Sequence, residues 1–209
     1  MKHFILMGDI IGSTGKNPPG LMRDFVKTVS FANRKYAKRI LSPLTITLGD
    51  EFQGVVKDAA ASADVIFAIE EFIIQNRFGF KLRYVLNQGE IKTRINTKKS
   101  YKMLGDGLTE ARRQLVGMKK SNDRFHYFLQ DADKAFVVNR IFRIVKNVVD
   151  KWDVAKNHEI ISTFINHGDY KIVAEKLDKT RSLMWKREKT LNMESYFAAK
   201  EILNAVLKR

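Results

Sequence analysis

Two acidic turns, Gly8-Asp9-Ile10-Ile11-Gly12-Ser13-Thr14 and Leu48-Gly49-Asp50-Glu51-Phe52, each close a short apolar run with the pattern of a buried strand. Strand ends about 40 residues apart meet only in a folded sheet, where Asp9 and Asp50 would stand side by side. Two neighbouring carboxylates repel unless a cation lies between them, and Mg²⁺ carrying a nucleotide phosphate is a common occupant of such a pair. The chemistry expected is therefore nucleotide binding with a divalent ion on Asp9 and Asp50. Glu51 is a further candidate ligand, although the pleat of a strand would turn it away from Asp50.

The elements that must position these turns follow from periodicity. Residues 3–7 form the apolar run before Gly8-Asp9. After the Gly/Pro-rich Gly15–Gly20, apolar Leu21, Phe25, Val29 and Tyr36 recur at helical spacing among lysines and arginines. Pro43 stops that helix, Leu44–Leu48 alternates like a strand, and Phe52–Val56 resumes as the return strand of a hairpin. Asp58 caps a buried helix that Gly79 closes. Phe80–Leu86 alternates as a strand, which Gly89 turns. Lys92–Ser100 reads as an exposed hairpin tip, Tyr101–Leu104 as a short strand and Leu108–Val116 as a helix. Phe125–Leu129 is a late strand and Ala132–Trp152 a long amphipathic helix. This order predicts an α+β, ferredoxin-like core: a largely antiparallel sheet with helices on one face.

With 209 residues, 44% of them apolar, the chain can bury one good core and a small second one. There is no cysteine, which excludes disulfides and thiolate metal sites, and His3, His126, His158 and His167 show no ligand spacing. The N-terminal apolar run is too short for a signal peptide and no run reaches membrane-spanning length, so a cytoplasmic protein without membrane insertion is expected. A net charge of +15 invites a polyanionic partner. Residues 151–209 carry only +4 of it, however, and the excess lies in the first 150 residues. Lys98, Lys99, Lys119 and Lys120 read as solvated surface.

Asp9-Ile10-Ile11-Gly12-Ser13-Thr14 resembles the metal-binding turn of class III nucleotide cyclases, and Leu48–Phe52 resembles their second metal motif. Leu82–Glu90 and Tyr101–Arg113 parallel two further cyclase segments in the same order. The resemblance implies a nucleotide cyclase-like fold, Asp9 and Asp50 as ligands of Mg²⁺ or Mn²⁺, and backbone N–H groups of Ile10, Gly12, Ser13 and Thr14 on a triphosphate. It also implies Arg113 as the arginine that stabilises transition-state charge and Thr109 at the ribose-orienting position. Ile46 and Lys102 fall at the base-reading positions, where an apolar residue and a cation cannot reproduce the usual hydrogen bonds. Taken whole, the chain is similar to the bacterial SatD family, through Gly-Asp-Ile-Ile-Gly-Ser, Leu-Gly-Asp-Glu-Phe-Gln-Gly and the helical end.

Beyond Trp152 the strand patterns cease. In Asp169–Arg187, Ala174 precedes Leu177 by three residues, a tight polar turn follows, Thr180 can cap a second helix and Leu183 can return to the core. This resembles a helix-turn-helix, with Arg181, Ser182, Trp185 and Lys186 facing outward as DNA contacts and Lys179 and Lys189 on flanking phosphates. The chain is thus expected to comprise a cyclase-like α+β domain, residues 1–152, and a small all-α helix-turn-helix domain, residues 153–209. The function expected is a homodimeric regulator that binds a nucleotide or related phosphorylated molecule and acts on DNA. A nucleotidyl-transfer or cyclase-type enzyme of altered base specificity and a protein-binding adaptor stay open beside it.

Overall fold

The computed structural model describes residues 1–12 and 18–208, apart from the side chain of Pro18. Ser13 and Thr14 lie outside the described residues. Strand β1 (Lys2–Ile10) leads to helix α1 (Pro18–Lys35), strands β2 (Ile40–Ile46) and β3 (Glu51–Val56), helix α2 (Ala59–Gln75) and strand β4 (Leu82–Glu90). Helix α3 (Asp106–Met118), strand β5 (Phe125–Phe128) and helix α4 (Ala132–Val149) complete the sheet-bearing part. The sheet order is β2-β3-β1-β4-β5, antiparallel except for the β4–β5 pair. Its first four strands are ferredoxin-like, with β1 at the centre between β3 and β4.

Both faces of β1 are covered, because its residues alternate between two cores. Leu6 and Ile10 join Val56, Leu82, Tyr84 and Leu86 beneath α1, α2 and α4. Ile5 and Met7 join Val55 and Val85 beneath Ala111, Leu115 and Met118 of α3. The expectation of helices on one face is therefore corrected: α3 packs on the other. Two local assignments change with it. Tyr101–Leu104 is not a strand; residues 91–105 form a connection tied to the sheet by Ser42 Oγ donating to the Asn96 carbonyl at 2.5 Å and Ser100 N–H donating to Thr45 Oγ1 at 2.9 Å. Gly89 does not turn the chain but lies within β4 opposite His3, where a Cβ would meet the Cα of Gly107 at 2.5 Å. The glycine is required by the close approach of α3 to the sheet.

Helix α2 ends at Gln75, earlier than Gly79, with Arg77 taking the left-handed conformation at φ 55°. After α4 come α5 (Val154–His167), α6 (Tyr170–Lys176), α7 (Arg181–Thr190) and α8 (Met193–Lys208). Asp153, Asp169 and Thr180 cap the first three of these, each side chain accepting from a backbone N–H of the first turn. Tyr196, Ala199, Leu203 and Leu207 of α8 continue the same core that contains Phe67 and Phe142. Among the described residues no helix is long and apolar enough to cross a membrane.

Candidate functional site

The two acidic turns meet at one end of the sheet. Ile10 N–H donates to the Asp50 carbonyl at 3.0 Å, and Gly49 makes the tight turn before Asp50 with φ 75°. Directly opposite Asp9 in the β1–β3 register stands Glu51, one residue beyond Asp50. On its other side Asp9 faces Arg83 of β4. Glu51, Asp9 and Arg83 thus form a row across three neighbouring strands, on the face that α3 covers.

The row is buried and internally paired. Asp9 is 1% exposed, and Arg83 Nη1 donates to both of its carboxylate oxygens, at 3.0 and 3.1 Å. Lys119, just beyond α3, places Nζ 3.2 Å from Asp9 Oδ2. Arg112 Nη2 lies 3.3 Å from Glu51 Oε2. Burial pushes the Asp9 carboxyl above its ordinary range, against the opposing pull of Arg83 and Lys119. Three cations face two carboxylates here, and Arg83 Nε is buried without a hydrogen-bond partner.

These contacts bear on several expectations. Asp9, Asp50 and Glu51 are brought to one sheet end, but Asp9 already has the positive partners that its neighbourhood demands. An Mg²⁺ or Mn²⁺ ion does not fit the residues as they stand, since both oxygens of Asp9 are engaged and the orphaned Nε of Arg83 is a donor that calls for an acceptor, not a cation. Among the described residues no group of three or more His, Asp or Glu could hold a metal ion. Ile10 cannot offer its N–H to a phosphate while Asp50 accepts it. Gly12 is exposed at the end of the turn, with φ 63°.

Arg113 is not at this end of the site within one chain: it is 75% exposed and forks onto Glu110 at 2.7 and 2.6 Å. Arg112 is the residue that reaches the acidic row. Thr109 is also exposed, and the ten helical residues from Thr109 to Met118 span roughly 13 Å away from the Lys119 end. Arg83 and Lys119 were missed from sequence. Arg83 carried a signal, because a charged residue in a strand between buried Leu82 and Tyr84 requires a partner.

In the C-terminal helices, α6 and α7 are joined by a tight turn in which Asp178 takes φ 50° and Thr180 accepts from Leu183 N–H at 3.3 Å. Val173, Ala174 and Met184 are buried between the helices and the core. Met184 fills the position expected of Leu183, which is 42% exposed. Arg181, Ser182, Trp185 and Lys186 all lie exposed on α7, Trp185 at 47%. Lys189 is held by Glu194 at 2.6 Å.

The sequence model described as the SatD family matches residues 3–207. No curated protein matches the chain. Among solved structures, a bacterial light-regulated adenylyl cyclase aligns at 12% identity and TM-score 0.41, covering 61% of this chain and 43% of its own. The guanylate cyclase domain of RhGC from Catenaria anguillulae in complex with GTP aligns at 16% and 0.39, covering 60% of this chain and 77% of that domain. The guanylyl cyclase Cya2 aligns at 16% and 0.34, covering 56% and 70%. The chain spans less than half the length of the light-regulated enzyme.

Proposed function

We propose, for a chain that belongs to the SatD family, a regulator that binds a nucleotide or related phosphorylated molecule at the Asp9 end of its sheet and acts on DNA through α7. The observation that best supports this reading is the charge arrangement around Asp9. Two carboxylates stand against three cations, leaving one positive charge in excess. Lys119 and Arg112 are about half exposed, so both can turn to a phosphate without leaving a charge buried in apolar surroundings. Asp9 then acts as an internal counter-ion that holds Arg83 and Lys119 in place. The exposed indole and cations of α7 support DNA as the target of the output.

The rival enzyme reading needs Asp9 as a metal ligand, and it draws support from the acidic turns and from the order of the two further cyclase-like segments, Leu82–Glu90 and Tyr101–Arg113. A homodimer belongs to either reading. A second copy would face Arg113 and Thr109, which are exposed on α3, Arg113 being turned from the acidic row onto Glu110.

A melting-temperature screen of nucleoside mono-, di- and triphosphates, each with excess EDTA or with Mg²⁺, tests the proposal. A ligand at 100 times its dissociation constant stabilises by about 2.7 kcal/mol. The expected result is a shift that persists in EDTA and is lost in Lys119→Ala combined with Arg112→Ala. A shift that needs Mg²⁺ and disappears in Asp50→Asn would return the site to metal chemistry.

A further inference from the structure

A second site lies on the α2 and α4 side of the sheet, where the sheet-bearing part meets the C-terminal helices, and Ile11, two residues beyond Asp9, forms part of its wall. A cavity of about 370 Å³ opens between the end of α2, the strand connection at Gly79–Lys81 and the α4–α5 turn. That volume falls in the range of about 300–1,000 Å³ typical of small-molecule sites. Its walls are mainly apolar, with Ile73, Phe78, Phe80 and Val149 on the sheet side and Trp152 and Val154 at the start of the helical end.

Three polar side chains also line it: Glu70, Lys81 and Arg124. They belong to one ion network. Arg124, 4% exposed, donates through Nη2 to Glu70 Oε2 at 2.5 Å, through Nη1 to Asp150 Oδ1 at 3.0 Å and through Nε to the Leu82 carbonyl at 3.1 Å. Tyr84 donates to Glu70 Oε1 at 2.8 Å. Lys81 reaches Asp150 Oδ1 at 2.8 Å, and Lys146 reaches Asp150 Oδ2 at 3.3 Å. Arg124, Lys81 and Lys146 outnumber Glu70 and Asp150 by one positive charge. Lys81 is the cation free to move, being about half exposed at the rim, whereas Arg124 is fully engaged.

We infer that this cavity binds an amphipathic monocarboxylic acid, with its apolar body against Phe78, Phe80 and Trp152 and its carboxylate on Lys81. The single excess charge selects one negative charge on the ligand. The apolar walls select a body of aliphatic or aromatic carbon, and the sealed Arg124–Glu70 pair forms a polar floor that an alkyl chain cannot satisfy but need not disturb. An occupant would touch both Ile73 of α2 and Trp152 and Val154 at the entry to the C-terminal helices. The site therefore offers a second ligand control that does not use Lys119, and it touches the Asp9 turn only through Ile11, whose N–H donates to the Lys81 carbonyl at 2.9 Å.

The test uses full-length protein carrying Trp185→Phe, so that Trp152 is the indole observed. Decanoate, decanol and decyltrimethylammonium are titrated below their aggregation limits. Decanoate should change Trp152 fluorescence saturably, with at least tenfold weaker binding by decanol and weaker still by the ammonium. Lys81→Met should weaken decanoate about tenfold and leave decanol unchanged. Ile74→Phe, which adds bulk at the cavity wall without adding a second indole, should abolish the response. If that variant fails to fold, the Lys81→Met comparison stands alone. Equal binding of acid and alcohol, tighter binding of the ammonium or no saturable change would overturn the proposal.

Discussion

Arg83 Nη1 lies between the two carboxylate oxygens of Asp9, 3.0 Å from one and 3.1 Å from the other, on the strand directly beside it. A buried pair of this kind contributes little over an apolar pair of similar shape, but removing Arg83 leaves the buried Asp9 with only the half-exposed Lys119 to balance it. Arg83→Met should therefore lower stability by about 2–3 kcal/mol, below the full cost of an unpaired buried charge, read by urea denaturation. The double variant Asp9→Asn with Arg83→Met should recover at least half of that loss. A double variant as unstable as the single would show that Arg83 matters through packing and not through its charge.

Because burial raises the Asp9 carboxyl above its ordinary value, the native state holds its proton to higher pH than the unfolded chain does. Native protein binds more protons in that window, so the contribution of Asp9 to stability falls as pH rises from about 3.9 and levels off beyond its folded value. The melting-temperature difference between the natural protein and Asp9→Asn should shrink from pH 4 towards pH 7. A difference that grows would mean that Arg83 and Lys119 outweigh burial.

Incubation with ATP or GTP and Mn²⁺ should give no cyclic product above a protein-free control, measured by chromatography. Asp9 is held by protein cations, and Ile46 and Lys102 stand at positions where a cyclase would read the base. Turnover abolished by Asp50→Asn would make the chain an enzyme first.

Binding to genomic DNA fragments should weaken steeply with salt, through release of counterions by lysines and arginines. Changing Arg181 and Lys186 to Ala should lower the slope of log affinity against log salt by about two for each protomer bound, without moving the melting temperature. Unchanged affinity would assign α7 to a protein partner.

The strands were legible because Leu82, Tyr84 and Leu86 alternate with residues of the other face, and both faces of the sheet obey that period. The side that α3 covers was not. Its helix buries only Gly107, Ala111, Leu115 and Met118, a narrow stripe that does not say which face of a sheet it meets. Arg113 is named by the cyclase resemblance, whereas contact with Glu51 falls to Arg112, since two adjacent arginines on a helix point about 100° apart and only packing selects which one faces the sheet. Asp9 and the sheet end that holds it could be read from the turn sequence. Lys119 could not, because a lysine after a helix looks like solvated surface until a buried carboxylate is found beside it. On α7, Met184 and Leu183 are equally apolar, and the helix rotation that buries Met184 is a tertiary fact.

The apolar core that begins under β1 continues without interruption to Leu207 of α8. Phe67 and Phe142 stack at 5.9 Å, Tyr196 closes against Phe67 edge-on at 6.0 Å, and Tyr196 donates to Glu71 of α2 at 2.8 Å. A chain ending at residue 152 would lose the Tyr196 ring that closes over Phe67 and its bond to Glu71, so neither half is a sound reagent by itself. Calorimetry should give a single heat-absorption peak whose van't Hoff and measured enthalpies agree. A signal passing from the sheet to α7 would then travel as a small shift of a continuous solid, not as the swing of a hinge.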